Sequence, residues 1–224
     1  MTVKRIIGTG LIAVSCLCSV AYAQFGAVWR HPPSIVVISV AGDPRLGLVD
    51  EAVSFWNQTL RKIGSGFRFG PVRHIVRPMP EKALQELGTS FADGDGYQSI
   101  PEALRALPGD ITIVLAQSEF PSFTTFAGSG SKRIIAIRGM GSPPMSLPNV
   151  ALNVIAHELG HTLGLDHNSD PSMLMCGRPA WCRPSLFRSS TPHVFPVTDR
   201  EKRELLQMYP SVRKPAVAAP ERTG

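Results

Sequence analysis

The sequence predicts an α+β domain, a twisted and mostly parallel sheet with an apolar helix beneath it and a second helix closing the chain. Three observations carry that reading. Apolar, β-branched runs at 34–40, 111–116 and 133–138 have the composition and length of strands. Helical periods fall between the early strands, and the remaining helices come late, an order that favours crossover connections and one sheet. No internal repeat interrupts the pattern.

The elements follow in order. Residues 34–40 end at Gly42-Asp43-Pro44 and read as a buried strand. Between 45 and 63, Leu48, Val49, Ala52, Val53, Trp56 and Leu60 recur at helical spacing and stop before Gly64. Phe67-Arg68-Phe69 with Val72 to Val76 suggests a second strand interrupted by Gly70-Pro71. One or two short helices are expected in 80–107, around a Gly/Asp turn. Strands at 111–116 and 133–138 follow, then a helix over 149–163. Thr198 is a natural N-cap for the last helix, with Glu201 as its capping-box partner.

The chain has 224 residues, 43% hydrophobic and 18% charged, enough for one domain with a substantial core. Residues 1–23 stand apart. Lys4 and Arg5 precede an apolar run from Ile6 to Val20, and Ala21-Tyr22-Ala23 is a small-x-small cleavage signal before Gln24. The expectation is a signal peptide at 1–23, a domain at 24–210 and a flexible tail at 211–224, with a secreted or periplasmic destination. A retained N-terminal anchor is the alternative. No later segment reaches the ~18 apolar residues of a membrane span. Losing Lys4 and Arg5 lowers the net charge from +6 to +4, and the remaining basic residues are scattered, so no nucleic-acid stripe is present. Cleavage also leaves Cys176 and Cys182 as the one cysteine pair, which an oxidising compartment favours as a small disulfide loop.

The chemistry concentrates in residues 157–167, His-Glu-Leu-Gly-His-Thr-Leu-Gly-Leu-Asp-His. On a helix, His157 and His161 stand one turn apart and about 40° around the axis, so both imidazoles can reach one ion. Continuing that helix would carry position 167 to another side. Gly164, without a Cβ, can take the left-handed conformation that ends the helix and turns the chain back. His167 then completes a three-histidine face with the fourth position left for water, the pattern of a catalytic zinc site. Glu158 is placed to take a proton from that water. Asp166 is read as a turn or cap residue. His31, His74 and His193 take plainer readings: exposed, structural, and at most substrate-contacting, respectively. Trp181 and Phe187 suit either a pocket wall or core packing.

The pattern HExxHxxGxxH resembles the signature of the metzincin zinc peptidases, and Asn168 to Met175 is similar to the matrixin stretch leading to the Met-turn. Residues 49–57, 197–199 and 205–209 look matrixin-like as well. The resemblance implies a zincin-type domain whose active-site helix is 149–163. It further implies one zinc per chain on His157, His161 and His167, and Met175 as the apolar Met-turn floor. Glu158 would be the general base of an endopeptidase acting on protein or peptide, in a monomer. It also implies that the Ser/Gly-rich region 122–131 forms the sheet edge along which extended substrate pairs.

Departures from the family pattern set further expectations. The connection from 117 to 148 contains no histidine, so no second, structural zinc is expected there. Asp93-Gly94-Asp95-Gly96 has calcium-loop spacing but no distal glutamate in register, and a polar turn is expected rather than calcium. Too few residues precede the first strand for an inhibitory propeptide, and Cys176-Gly177 stands where an astacin-type tyrosine would follow the Met-turn. Two rivals stay open. One is a zinc hydrolase of another amide, such as a cell-wall or modified-peptide bond. The other is a non-catalytic binding protein on the same scaffold, against which the retained Glu158 argues.

Overall fold

Five strands pair into one sheet in the order β2-β1-β3-β5-β4. They are β1 (Ile35–Ser39), β2 (Val72–Val76), β3 (Ile111–Leu115), β4 (Phe123–Phe126) and β5 (Arg133–Ile137). The computed structural model describes residues 28–93, 99–127, 132–141, 143–177 and 193–211. All neighbours run parallel except β4, which pairs antiparallel with β5. The mostly parallel sheet expected from the sequence is the one observed. The segment 122–131 carries an antiparallel edge strand, whose Phe-Thr-Thr-Phe has strand-forming residues but is too short to announce itself alone.

Every residue of β1, β3 and β5 is buried, because helices cover both faces of the sheet. On one face Val36, Ile38, Val114 and Ile134 meet Leu84 and Leu87 of α2 (Glu81–Asp93) and Leu104 of α3 (Glu102–Arg105). On the other, Val37, Ile113, Ile135 and Ile137 meet α1 (Leu46–Lys62), α4 (Pro148–Thr162) and α5 (Asp199–Met208). That second layer positions the site. Trp56 of α1 is fully buried and donates its indole N–H to the Ala156 carbonyl at 2.7 Å, pinning α4 just before its first histidine. Helix α5 carries the anticipated capping box between Thr198 and Glu201.

One expected strand segment is irregular. Phe67 and Phe69 lie outside β2 because Asn57 supplies the bonds a neighbouring strand would have given. It accepts from the Phe69 N–H at 2.8 Å and donates to the Phe69 carbonyl at 3.3 Å. Phe67 instead stacks on Tyr209 at 4.5 Å. His74, on the edge strand β2, sits 3.4 Å from Asp50, a surface contact far from the histidine cluster in sequence and fold. Asp93 closes α2, and the remainder of the considered calcium loop, Gly94 to Gly96, lies outside the described residues, as do the signal segment 1–23, Trp181, Cys182, Phe187 and most of the tail. Among the described residues no helix is long and apolar enough to cross a membrane.

Candidate metal centre

Helix α4 begins with Pro148 at its first turn, where a missing N–H costs nothing. Thirteen of its residues, from Asn149 to Thr162 with Val154 excepted, are buried, so its polar side chains are held by specific partners. The helix ends at Leu163, and Gly164 takes φ +92. Its N–H bonds the His161 carbonyl while the Leu165 N–H bonds the Gly160 carbonyl, closing the helix end and reversing the chain. That reversal brings His167 to the two helical histidines.

The three Nε2 atoms form an equilateral triangle with 3.1 Å sides. His157 Nδ1 donates to the Leu174 carbonyl at 2.8 Å and His161 Nδ1 to the Leu165 carbonyl at 2.7 Å. Each carbonyl can only accept, which fixes the proton on Nδ1 and leaves Nε2 as a lone-pair donor. Burial first, then the adjacent His167, pushes the His161 pKa down to about 4, keeping that ring neutral near pH 7. Lone pairs converging at such distances repel one another unless a cation joins them. Donors about 2.0–2.1 Å from a tetrahedral zinc stand about 3.3 Å apart, so the triangle fits such an ion closely. Among the described residues this is the one group of three or more His, Cys, Asp or Glu side chains able to hold a metal.

Glu158 is 6% exposed, beside His157 on the helix. The Thr124 hydroxyl, on edge strand β4, lies 2.7 Å from its Oε2 and 3.0 Å from its backbone carbonyl. Met175 is fully buried against the helix turn that separates His157 from His161. A Cβ at Gly160 would stand 2.4 Å from its sulfur and 2.9 Å from the Trp56 ring, so only glycine lets the methionine approach. Met173 is half-buried by comparison.

The loop that carries His167 is braced from behind. The Asn168 N–H bonds the Met175 carbonyl and the Gly177 N–H bonds the Asn168 carbonyl, while Asn168 Nδ2 donates to Glu201 of α5 at 2.6 Å. Gly177 packs against the His167 ring, where a Cβ would fall 2.2 Å from Cγ. Cys176 is disulfide-bonded; Cys182, its expected partner, is one of the residues not described. Asp166 is exposed and outside the metal cluster, in keeping with a turn role. Although the residue reaches solvent, partial desolvation of its carboxyl and then Glu204 hold it above the ordinary range, against His167 and Arg200.

Several contributors escape a sequence reading. Thr124 and Gly177 reach the site from separate segments and carry no local signal. Asn149 and Asn153 did carry one, two amides four residues apart in an otherwise apolar helix. Asn153 accepts from the Phe195 N–H and donates to the His193 carbonyl, both at 2.8 Å, and the His193 N–H bonds Asn149 at 3.1 Å. His193 is exposed, with its ring edge against Phe195.

No curated protein matches the chain. Among solved structures, archaemetzincin from Methanopyrus kandleri is similar with a TM-score of 0.48 and 18% identity, over 80% of this chain and 95% of that one. The family model of the matrixins, peptidases of the metzincin type, matches residues 106–188, a stretch that runs from the end of α3 through β3 and the histidine cluster and past Cys176.

Proposed function

We propose that the protein is an exported zinc-dependent endopeptidase in which His157, His161 and His167 hold the metal and Glu158 is the general base. The observation that carries this reading is the triangle of Nε2 lone pairs, 3.1 Å on a side, with a buried carboxylate on the adjoining residue. Zinc held there would supply a Lewis acid for the scissile carbonyl and acidify a water to near neutrality. Glu158 accepts the proton of the attacking water and returns it to the departing amine. Met175 supplies an apolar floor under the histidines, and the carbonyls of Leu174 and Leu165 keep two rings in the ligating tautomer. An extended substrate would pair with the outer edge of β4, which ends the sheet. Export is supported by the segment 1–23 and by the disulfide at Cys176, which suits an oxidising compartment.

The decisive experiment combines Glu158→Gln with a substrate panel and a chelator. The amide keeps the size of the carboxylate but cannot take a proton, so hydrolysis should fall by at least ~10²–10⁴-fold, with zinc still bound at one per chain. A peptidase loses cleavage of proteins and peptides, a different amide hydrolase loses only its own substrate, and a binding protein has no hydrolysis to lose. Near-wild-type cleavage by the Gln variant would remove Glu158 as the base.

A further inference from the structure

We propose that Thr124 is a positioning residue: its hydroxyl, on the edge strand of the sheet, holds the Glu158 carboxylate in the orientation that proton transfer needs. The inference deepens the reading of Glu158 as the base and rests on it.

The Thr124 hydroxyl stands within hydrogen-bond distance of two oxygens of Glu158, the carboxylate Oε2 at 2.7 Å and the backbone carbonyl at 3.0 Å. A hydroxyl carries one proton and can donate to one acceptor at a time. The carboxylate is charged and closer, so it takes the proton in the stronger bond. The last torsion of a glutamate side chain is broad and roughly two-fold, and a donor fixed on one oxygen selects the plane of the carboxylate.

Thr124 is itself well fixed. It is β-branched, hence stiff at χ1, and sits between Phe123 and Thr125, whose side chains are buried on the opposite face of the strand. Backbone pairing of Thr124 with Ile135 of β5 sets its height along the sheet. The hydroxyl is therefore placed by the sheet, and it reads the position of α4 from there.

This arrangement joins two tasks in four residues. The outer edge of β4 ends the sheet and is the edge an extended chain would pair with, while the inward face of the same strand carries the group that orients the base. A substrate that pairs with β4 and shifts it is felt at Glu158 through one hydrogen bond. Valine at 124 would keep the shape and the β-branch and lose only the donor.

The test uses the mature zinc-loaded protein with a quenched-fluorescent peptide that the wild type cleaves, in the variants Thr124→Val and Thr124→Ser. A group supporting a catalytic side chain is typically worth 10–100-fold, so Thr124→Val should lower kcat by about that factor with KM within about twofold and zinc still at one per chain. Thr124→Ser restores the donor and should recover most of the loss. A second readout needs no turnover. Thermal unfolding of Thr124→Val, Glu158→Ala and the double variant should be non-additive, because both single changes remove the same bond. A Val variant with kcat within about twofold of wild type, a Ser variant no better than Val, or additive unfolding shifts overturns the proposal. Should the wild type cleave no peptide, the peptidase reading fails by itself, and the unfolding cycle still decides the hold: coupling supports it and additivity overturns it.

Discussion

A glycine decides where the third histidine stands. Gly177 lies against the His167 ring so closely that a Cβ would fall 2.2–2.5 Å from three ring atoms, and a histidine ring cannot flex away without leaving the other two ligands. Gly177→Ala should therefore weaken zinc binding by about 10–100-fold, as displaced support of a ligand generally does, with the fold retained. Competition against a chelator of known affinity measures it, and an unchanged zinc affinity would mean that the ring does not need this contact. His157, His161 and Gly164 were legible in the sequence because helical periodicity and one left-handed glycine relate them locally. Gly177 and Thr124 were not. Their contacts come from the turn at 168–177 and from strand pairing, and neither leaves a trace in residue type or spacing.

At the scale of elements, the same distinction separates what could be read from what could not. Near-continuous apolar runs announce β1, β3 and β5, since a strand covered on both faces has little room for polar residues. The four-residue β4 gains its identity from β5, and Phe67–Phe69 loses strand character to the side chain of Asn57. Helix α4 likewise uses asparagine as a substitute for strand pairing. Asn153 meets both the N–H of Phe195 and the carbonyl of His193, so a side chain aligns the segment running into α5. Replacing it by leucine strands two backbone groups and should cost about 2–4 kcal/mol, more than the apolar volume returns. Denaturant unfolding would show it, and a loss under about 0.5 kcal/mol would mean that water replaces the amide at no cost. Removing the α5 cap is a milder change: Thr198→Ala should cost about 1 kcal/mol in the same measurement.

Across the whole molecule, the end of helix α4 is tied down by parts of the chain remote from one another. The last carbonyls of a helix have no partner within it. Here the Thr162 carbonyl accepts from the Trp29 indole at 2.8 Å and from the Arg133 guanidinium, and the Leu163 carbonyl from the Tyr209 hydroxyl at 3.2 Å. Arg133 lies 3.9 Å over the Trp29 ring, a cation–π contact away from water. Burial pulls its pKa down to about 10, with Tyr209 opposing, so it stays charged beside the negative end of the helix. The N-terminal segment, β5, α4 and α5 thus meet immediately before the Gly164 turn that delivers His167. The proposed cleavage after Ala23 would leave Trp29 in place, whereas a chain started beyond it would lose the knot. Trp29→Ala should destabilise the protein by about 3–5 kcal/mol, the usual cost of emptying a buried aromatic site. Trp29→Phe keeps the ring under Arg133 but not the indole donor, and should cost about 1–2 kcal/mol. Because the loosened carbonyls adjoin the turn, zinc affinity should fall with Trp29→Ala and hold with Trp29→Phe. Denaturant unfolding and zinc competition on the three proteins check both orders together. If the Ala variant matches the wild type in stability, the N-terminal segment is only an appendage. If it is destabilised with zinc affinity intact, the knot serves the fold without reaching the metal centre.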